Sequence, residues 1–266
     1  MANKKQSTAL NTYDFDGELF PSKNKKHKEI MFFVHFYMGH KKSLRRHIEL
    51  VNSLGFDAFA FNLKGGNINP MDLIKKIKLP DSPISSKGAL GIKNIYADQI
   101  EHMLNEISGD KIVFAFSNLG ISTIQALAQR SCSDIKALIC DSGPSNRLVE
   151  SALNLAKVQF GISNTLLRYS FLPLFIAFWD PYLHQQAHDH LKQFPQGFPL
   201  LSIRGWKDQL IPANSIDEVF DRHEHLLWEK VSLPEAEHLK GLKDFPKEYT
   251  QGLNQFLNRY FPLKPT

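Results

Sequence analysis

Apolar residues along the chain fall into short runs, separated by stretches in which they recur every three or four positions. The runs predict strands at Ile30–Phe36, Asp57–Asn62, Lys111–Phe116, Ile135–Asp141, Pro199–Arg204 and Leu226–Ser232. They are rich in Phe, Val, Ile and Leu without strict alternation, the pattern of strands buried on both faces. The intervening spacing predicts helices near 42–54, 93–108, 118–130, 213–223 and 246–260. In the first of these, Leu44, Ile48 and Val51 share one face while Arg45, His47 and Glu49 lie between them. Strands alternating with helices define an α/β class, with a mostly parallel sheet covered by helices.

Two stretches interrupt the alternation. Residues 64–92 carry glycines, prolines and serines, including P-D-S-P-I-S-S-K-G, and predict a long surface loop. Residues 146–197 are helical in pattern and rich in aromatics, which is more than a connection between strands needs. One domain spanning 1–266 with a helical cap insertion at about 146–197 accounts for both.

Composition narrows the function classes. The 32 Lys and Arg against 27 Asp and Glu leave a charge of +5, much of it in K-N-K-K-H-K at 23–28 and K-K-S-L-R-R at 41–46. Such clusters read first as solvated faces. They leave contact with a membrane surface open, but no nucleic-acid module accompanies them and no nucleic acid is expected as a partner. The two cysteines, Cys132 and Cys140, are too few for a disulfide scaffold. The N-terminal stretch has charge without a following apolar segment, so no signal peptide is expected. The apolar run at 171–179 is far short of the ~20 residues that span a bilayer. A cytoplasmic location is the expectation.

The chemistry centres on I-V-F-A-F-S-N-L-G-I at 112–121. Ser117 stands between a strand and a helix, where a serine either caps the helix or serves as a nucleophile on a tight turn. Its candidate partners lie far along the chain. Asp208 follows the strand that ends in I-R-G-W-K-D, and His238 follows the one that ends in V-S-L-P-E-A-E-H. In parallel α/β sheets ligands bind beyond the carboxyl ends of the strands. All three residues are therefore predicted to gather at one edge, with Asp208 holding His238 and His238 accepting the proton of Ser117.

These residues, their order along the chain, V-H-F-Y-M-G-H at 34–40 and G-W-K-D-Q-L-I-P at 205–212 resemble the alpha/beta-hydrolase superfamily over roughly residues 30–262. The resemblance implies that fold and a catalytic triad of Ser117, Asp208 and His238. It implies oxyanion donors at the amide of Asn118 and at Phe36 or Tyr37, with His35 supporting the loop. It further implies a serine hydrolase acting on a small-molecule carboxylic ester or thioester, with no cofactor and no metal. Three departures stand out: Ala115 and Leu119 replace the glycines two positions either side of the serine, and Phe36 follows His35 where glycine is usual. Bulk at Leu119 and Phe36 motivates an alternative, an inactive protein of this fold binding a lipid or a protein partner.

Asp141 ends a strand on the same edge and is a rival for the acid, or a cap for the helix entering the insertion. Asp208 is preferred for its G-x-x-D-x-x-x-P setting. His184 and His188 have a spacing that can bind zinc, but no supporting cluster accompanies them, so a polar helix face is expected. K-G-G-N at 64–67 lacks the spacing of a phosphate loop. Phe171, Phe175, Phe178 and Trp179 in the insertion are expected to line an apolar acyl pocket beneath a lid.

Overall fold

The computed structural model describes residues 15–64, 92–179 and 182–263. Seven strands form one sheet: β1 (Glu18–Phe20), β2 (Ile30–Val34), β3 (Asp57–Ala60), β4 (Lys111–Phe116), β5 (Ile135–Asp141), β6 (Phe198–Gly205) and β7 (Leu226–Leu233). Their spatial order is β1-β3-β2-β4-β5-β6-β7, with β1 antiparallel to β3 and every other pair parallel. The six predicted strands are all present. β1 escaped prediction because three residues with no apolar run leave no periodic signal.

Strand residues alternate strictly between two cores. Phe32, Val34, Val113, Ala115, Leu138 and Cys140 face one. Met31, Phe33, Ile112, Phe114, Phe116, Ala137 and Ile139 face the other. Both faces are covered, so alternation in space leaves continuous apolar runs in sequence. β7 differs: it is an edge strand with half-exposed positions, which accommodate Glu229 and Lys230.

The second core is covered by α1 (Arg45–Ser53), entered through a tight turn at Lys41–Leu44, and by the helices at the C-terminal end. α2 (Ile92–Glu106) and α3 (Leu119–Gln129) cover the first. Between β5 and β6 lie α4 (Leu148–Val158), α5 (Thr165–Trp179) and α6 (Leu183–Leu191); α7 (Ala213–Phe220) connects β6 to β7. A short helix, α8 (Gly241–Asp244), precedes α9 (Pro246–Tyr260). Pro246 suits the start of α9 because that position needs no amide donor. Tyr249, Leu253, Phe256 and Leu257 then form its buried stripe, each large side chain contributing about 1.5–3 kcal/mol.

The predicted loop at 64–92, with its K-G-G-N segment, lies almost wholly outside the described residues. No helix among the described residues is long and apolar enough to cross a membrane. The basic clusters are partly neutralised: Lys25 pairs with Asp57, Lys28 with Asp110, and Lys41 with Asp16 and Glu18.

Candidate active site

Strand order reverses around β2: the chain passes outward to β3, then returns to place β4 on the other side. A crevice opens at the carboxyl ends of strands at such a switch point. Ser117 sits there, directly after β4, with φ +57. A non-glycine residue in this left-handed region is strained by roughly 1–2 kcal/mol, so surrounding contacts must hold it. Its amide donates to the Asp141 carbonyl at 2.8 Å, and its own carbonyl accepts from Gly120 at 3.1 Å.

Ser117 does not cap α3. The cap position is Asn118, and the Ser117 hydroxyl instead lies 3.0 Å from His238 Nε2. His238 Nδ1 lies 2.6 Å from Asp208 Oδ2. The other oxygen of Asp208 accepts from the amides of Leu210 and Ile211, each at 2.8 Å. The buried carboxylate is thus satisfied on both oxygens and fixed in orientation.

Asp141, the rival acid, is directed elsewhere. Its oxygens accept from Ser142 Oγ at 2.8 Å and from Tyr249 OH at 2.6 Å, and it caps no helix, since Arg147 stands before α4.

The loop after β2 supplies the facing wall. His35 is buried; its Nδ1 donates to the Phe36 carbonyl at 2.8 Å and its Nε2 accepts from the Leu63 amide at 2.9 Å. Burial lowers its pKa, so the neutral ring that these two bonds require is the favoured form. Phe36 O also accepts from Gly39, closing a tight turn. Among the described residues, no acceptor engages the amides of Phe36, Tyr37 or Asn118.

The cleft over Ser117 is lined by Phe36, Tyr37, Met38, Asn118, Leu148, Ser151, Leu155, Gln159, Phe175, Trp179, Leu210, His238 and Leu239. Tyr37 meets Trp179 edge-on at 5.0 Å, and Phe175 stacks on Trp179 at 6.1 Å. Two expectations need correction. Phe171 is 50% exposed, and Phe178 is half-buried against the core; neither is among the residues lining the cleft. An aromatic-rich helix reads alike on every face, so sequence did not tell which ring turns inward. The contribution of α4 was missed, although Leu148, Ser151 and Leu155 stand at i, i+3 and i+7 on one helical face.

The bulk at Leu119 is absorbed in the core, where it is fully buried and does not reach the cleft. Close packing at the serine turn is met from another strand. A Cβ at Gly143 would fall 2.5 Å from the Ser117 carbonyl carbon and oxygen, and one at Gly120 would fall 2.9 Å from Pro144. Gly143 is therefore a small residue that the serine turn needs, while Gly120 makes room for Pro144 beside the first turn of α3.

His188, from the pair with zinc-binding spacing, meets His223 at 3.0 Å. Among the described residues no group of three or more His, Cys, Asp or Glu side chains is arranged to hold a metal. Cys132 and Cys140 are buried and unpaired, Cys140 within the core.

A parallel seven-stranded sheet with one antiparallel edge, flanked by helices and carrying a helical insertion over its carboxyl edge, is the alpha/beta-hydrolase fold. The chain superposes on an esterase from Pyrococcus furiosus with a TM-score of 0.60 at 17% identity, covering 98% of this chain and 95% of that one. Mouse alpha/beta hydrolase domain-containing protein 10 gives 0.57 at 14% identity over 91% and 93% of the two chains. A bromoperoxidase from Bacillus anthracis gives 0.55 at 12% identity over 91% and 94%. Identities this low establish the fold alone, and the differing names show that the fold does not choose the reaction. No protein-family model and no curated protein matches the sequence.

Proposed function

We propose that the protein is a serine hydrolase that cleaves a carboxylic ester or thioester with a hydrophobic acyl or alcohol part through an acyl-enzyme. The observation that carries this reading is the continuous chain Ser117–His238–Asp208, with bonds of 3.0 and 2.6 Å, opening onto an apolar cleft. Ser117 Oγ attacks the carbonyl carbon while His238 Nε2 takes its proton. Asp208 holds the imidazole and stabilises the imidazolium. The developing oxyanion accepts from the amide of Asn118 and from that of Phe36 or Tyr37, which have no other acceptor among the described residues. Collapse of the intermediate breaks the bond to the leaving group, which takes the proton from His238. Water then repeats the sequence on the acyl-enzyme, and the free acid leaves. No step requires a cofactor.

Intact mass after incubation with a fluorophosphonate tests the reading. Attack by Ser117 forms the oxygen–phosphorus bond and expels fluoride, so wild type is expected to gain one adduct that Ser117→Ala lacks. A wild type that takes up no label refutes the hydrolase reading, and the cleft is then better read as a binding site for a lipid or a protein partner.

A further inference from the structure

The loop that carries His238 has to hold the imidazole over Ser117 although it follows an edge strand. Leu239, the next residue, has φ +58, a conformation that costs free energy unless neighbours enforce it. Its amide donates to Ser142 Oγ at 3.0 Å. That hydroxyl in turn donates to Asp141 Oδ1 at 2.8 Å. Asp141 Oδ2 accepts from Tyr249 OH at 2.6 Å, and the Tyr249 ring packs where a Cβ on Gly241 would fall, 3.1 Å away. Asp141, Ser142 and Tyr249 are all buried. His47 Nε2 also faces the Asp141 carboxylate at 3.5 Å. Burial and the adjacent carboxylate raise the Tyr249 pKa well above its ordinary value, so the phenol remains a donor. The Asp141 carbonyl meanwhile accepts the Ser117 amide at 2.8 Å.

One residue therefore reaches both halves of the site: Asp141 touches the serine turn through its backbone and the histidine loop through Ser142. From this juxtaposition we propose that Asp141, Ser142 and Tyr249 are positioning residues, a buried hydrogen-bonded relay that locks residues 239–241 and so sets the imidazole of His238 against Ser117. Ser142 is the pivot, because its hydroxyl accepts the amide of Leu239, the residue that follows His238. Removing it frees the Leu239 amide and lets the loop relax from its left-handed turn. The proposal rests on the serine hydrolase reading for its catalytic consequence, while its structural consequence can be read without turnover.

The test uses the full chain as wild type, Ser142→Ala, Ser142→Gly and Tyr249→Phe. Glycine accepts the φ +55 of position 142 without strain, so matched effects of alanine and glycine report the lost hydroxyl rather than misfolding. Two readouts are taken: the fluorophosphonate labelling rate per titratable site, and the low-field proton resonance of the Asp208–His238 hydrogen bond. Both Ser142 variants are expected to label about threefold to tenfold more slowly at unchanged stoichiometry, with that resonance broadened or lost. Tyr249→Phe should show a smaller change in the same direction. Wild-type rate and resonance in both Ser142 variants would overturn the relay and leave the hydrolase reading standing. A wild type that shows the resonance but takes no label would overturn the hydrolase reading, and the resonance in the Ser142 variants alone would then decide the relay.

Discussion

Replacing Gly143 by alanine places a methyl group against the backbone of Ser117. The added Cβ would lie 2.5 Å from the Ser117 carbonyl carbon and oxygen and 2.9 Å from its Cα. Ordinary contact begins near 3.4 Å, so one backbone segment has to retreat by about 0.9 Å. Neither side yields easily. Ser117 is tied to β5 by its amide and to α3 by its carbonyl, and Ser142, just before Gly143, bonds the Ile203 carbonyl at 2.8 Å. Overpacking of this kind costs about 1–3 kcal/mol of stability. Its effect on catalysis is expected to be larger, because a displacement of about 1 Å in a reacting group can cost roughly 100-fold in rate. Gly143→Ala should thus remain folded, with a lowered unfolding midpoint, and lose about two orders of magnitude in fluorophosphonate labelling rate per folded molecule. Urea unfolding and time-resolved intact mass measure the two effects. A variant that labels within twofold of wild type would refute the idea that Gly143 replaces the missing glycine of the serine turn.

Two further expectations follow from the cleft and from the buried histidines. Phe175 is half-buried against the core and Trp179, so Phe175→Ala should lower stability by about 1 kcal/mol; loss of its contact area should lower kcat/KM about fivefold for a hexanoyl ester and much less for an acetyl ester. An equal loss for both esters would show that the ring does not contact the acyl chain. His223 is 5% exposed, and burial, followed by the neighbouring His188, His225 and Lys192, pushes its pKa down from 6.5 to about 4, with Asp221 opposing. The unfolded chain therefore binds the proton first, and stability is lost as pH falls from 6.5 towards 4. Between pH 7 and 4.5 this group should account for about 2 kcal/mol, read as the difference in pH dependence between wild type and His223→Gln in urea unfolding. Parallel pH curves for the two proteins would dismiss the assignment.

Fold and candidate chemistry were legible to different depths. Parallel strands covered on both faces are apolar on most residues, so the central strands announced themselves as apolar runs, and strand ends pointed to Ser117, Asp208 and His238. Those three residues needed only the rule that loops at one edge of a parallel sheet converge. The roles of Asp141 and Gly143 could not be reached in that way. Asp141 shares its edge with Asp208, and only the bonds to Ser142 and Tyr249 show that its carboxylate turns from His238. Gly143 looks like any loop glycine until β4 and β5 lie side by side and its missing side chain is seen to make room for the serine turn. The inward face of α5 was likewise hidden, because Phe171, Phe175, Phe178 and Trp179 are chemically alike and only packing selects among them. Sequence by itself determined the alternation of elements, the burial of the sheet and the candidate residues Ser117, Asp208 and His238 at its carboxyl edge, since these follow from local periodicity and from side-chain chemistry. Tertiary structure alone decided which acid meets the histidine, which rings meet the cleft and which glycine frees the serine turn, because each depends on atoms far apart in the chain brought within a few ångströms.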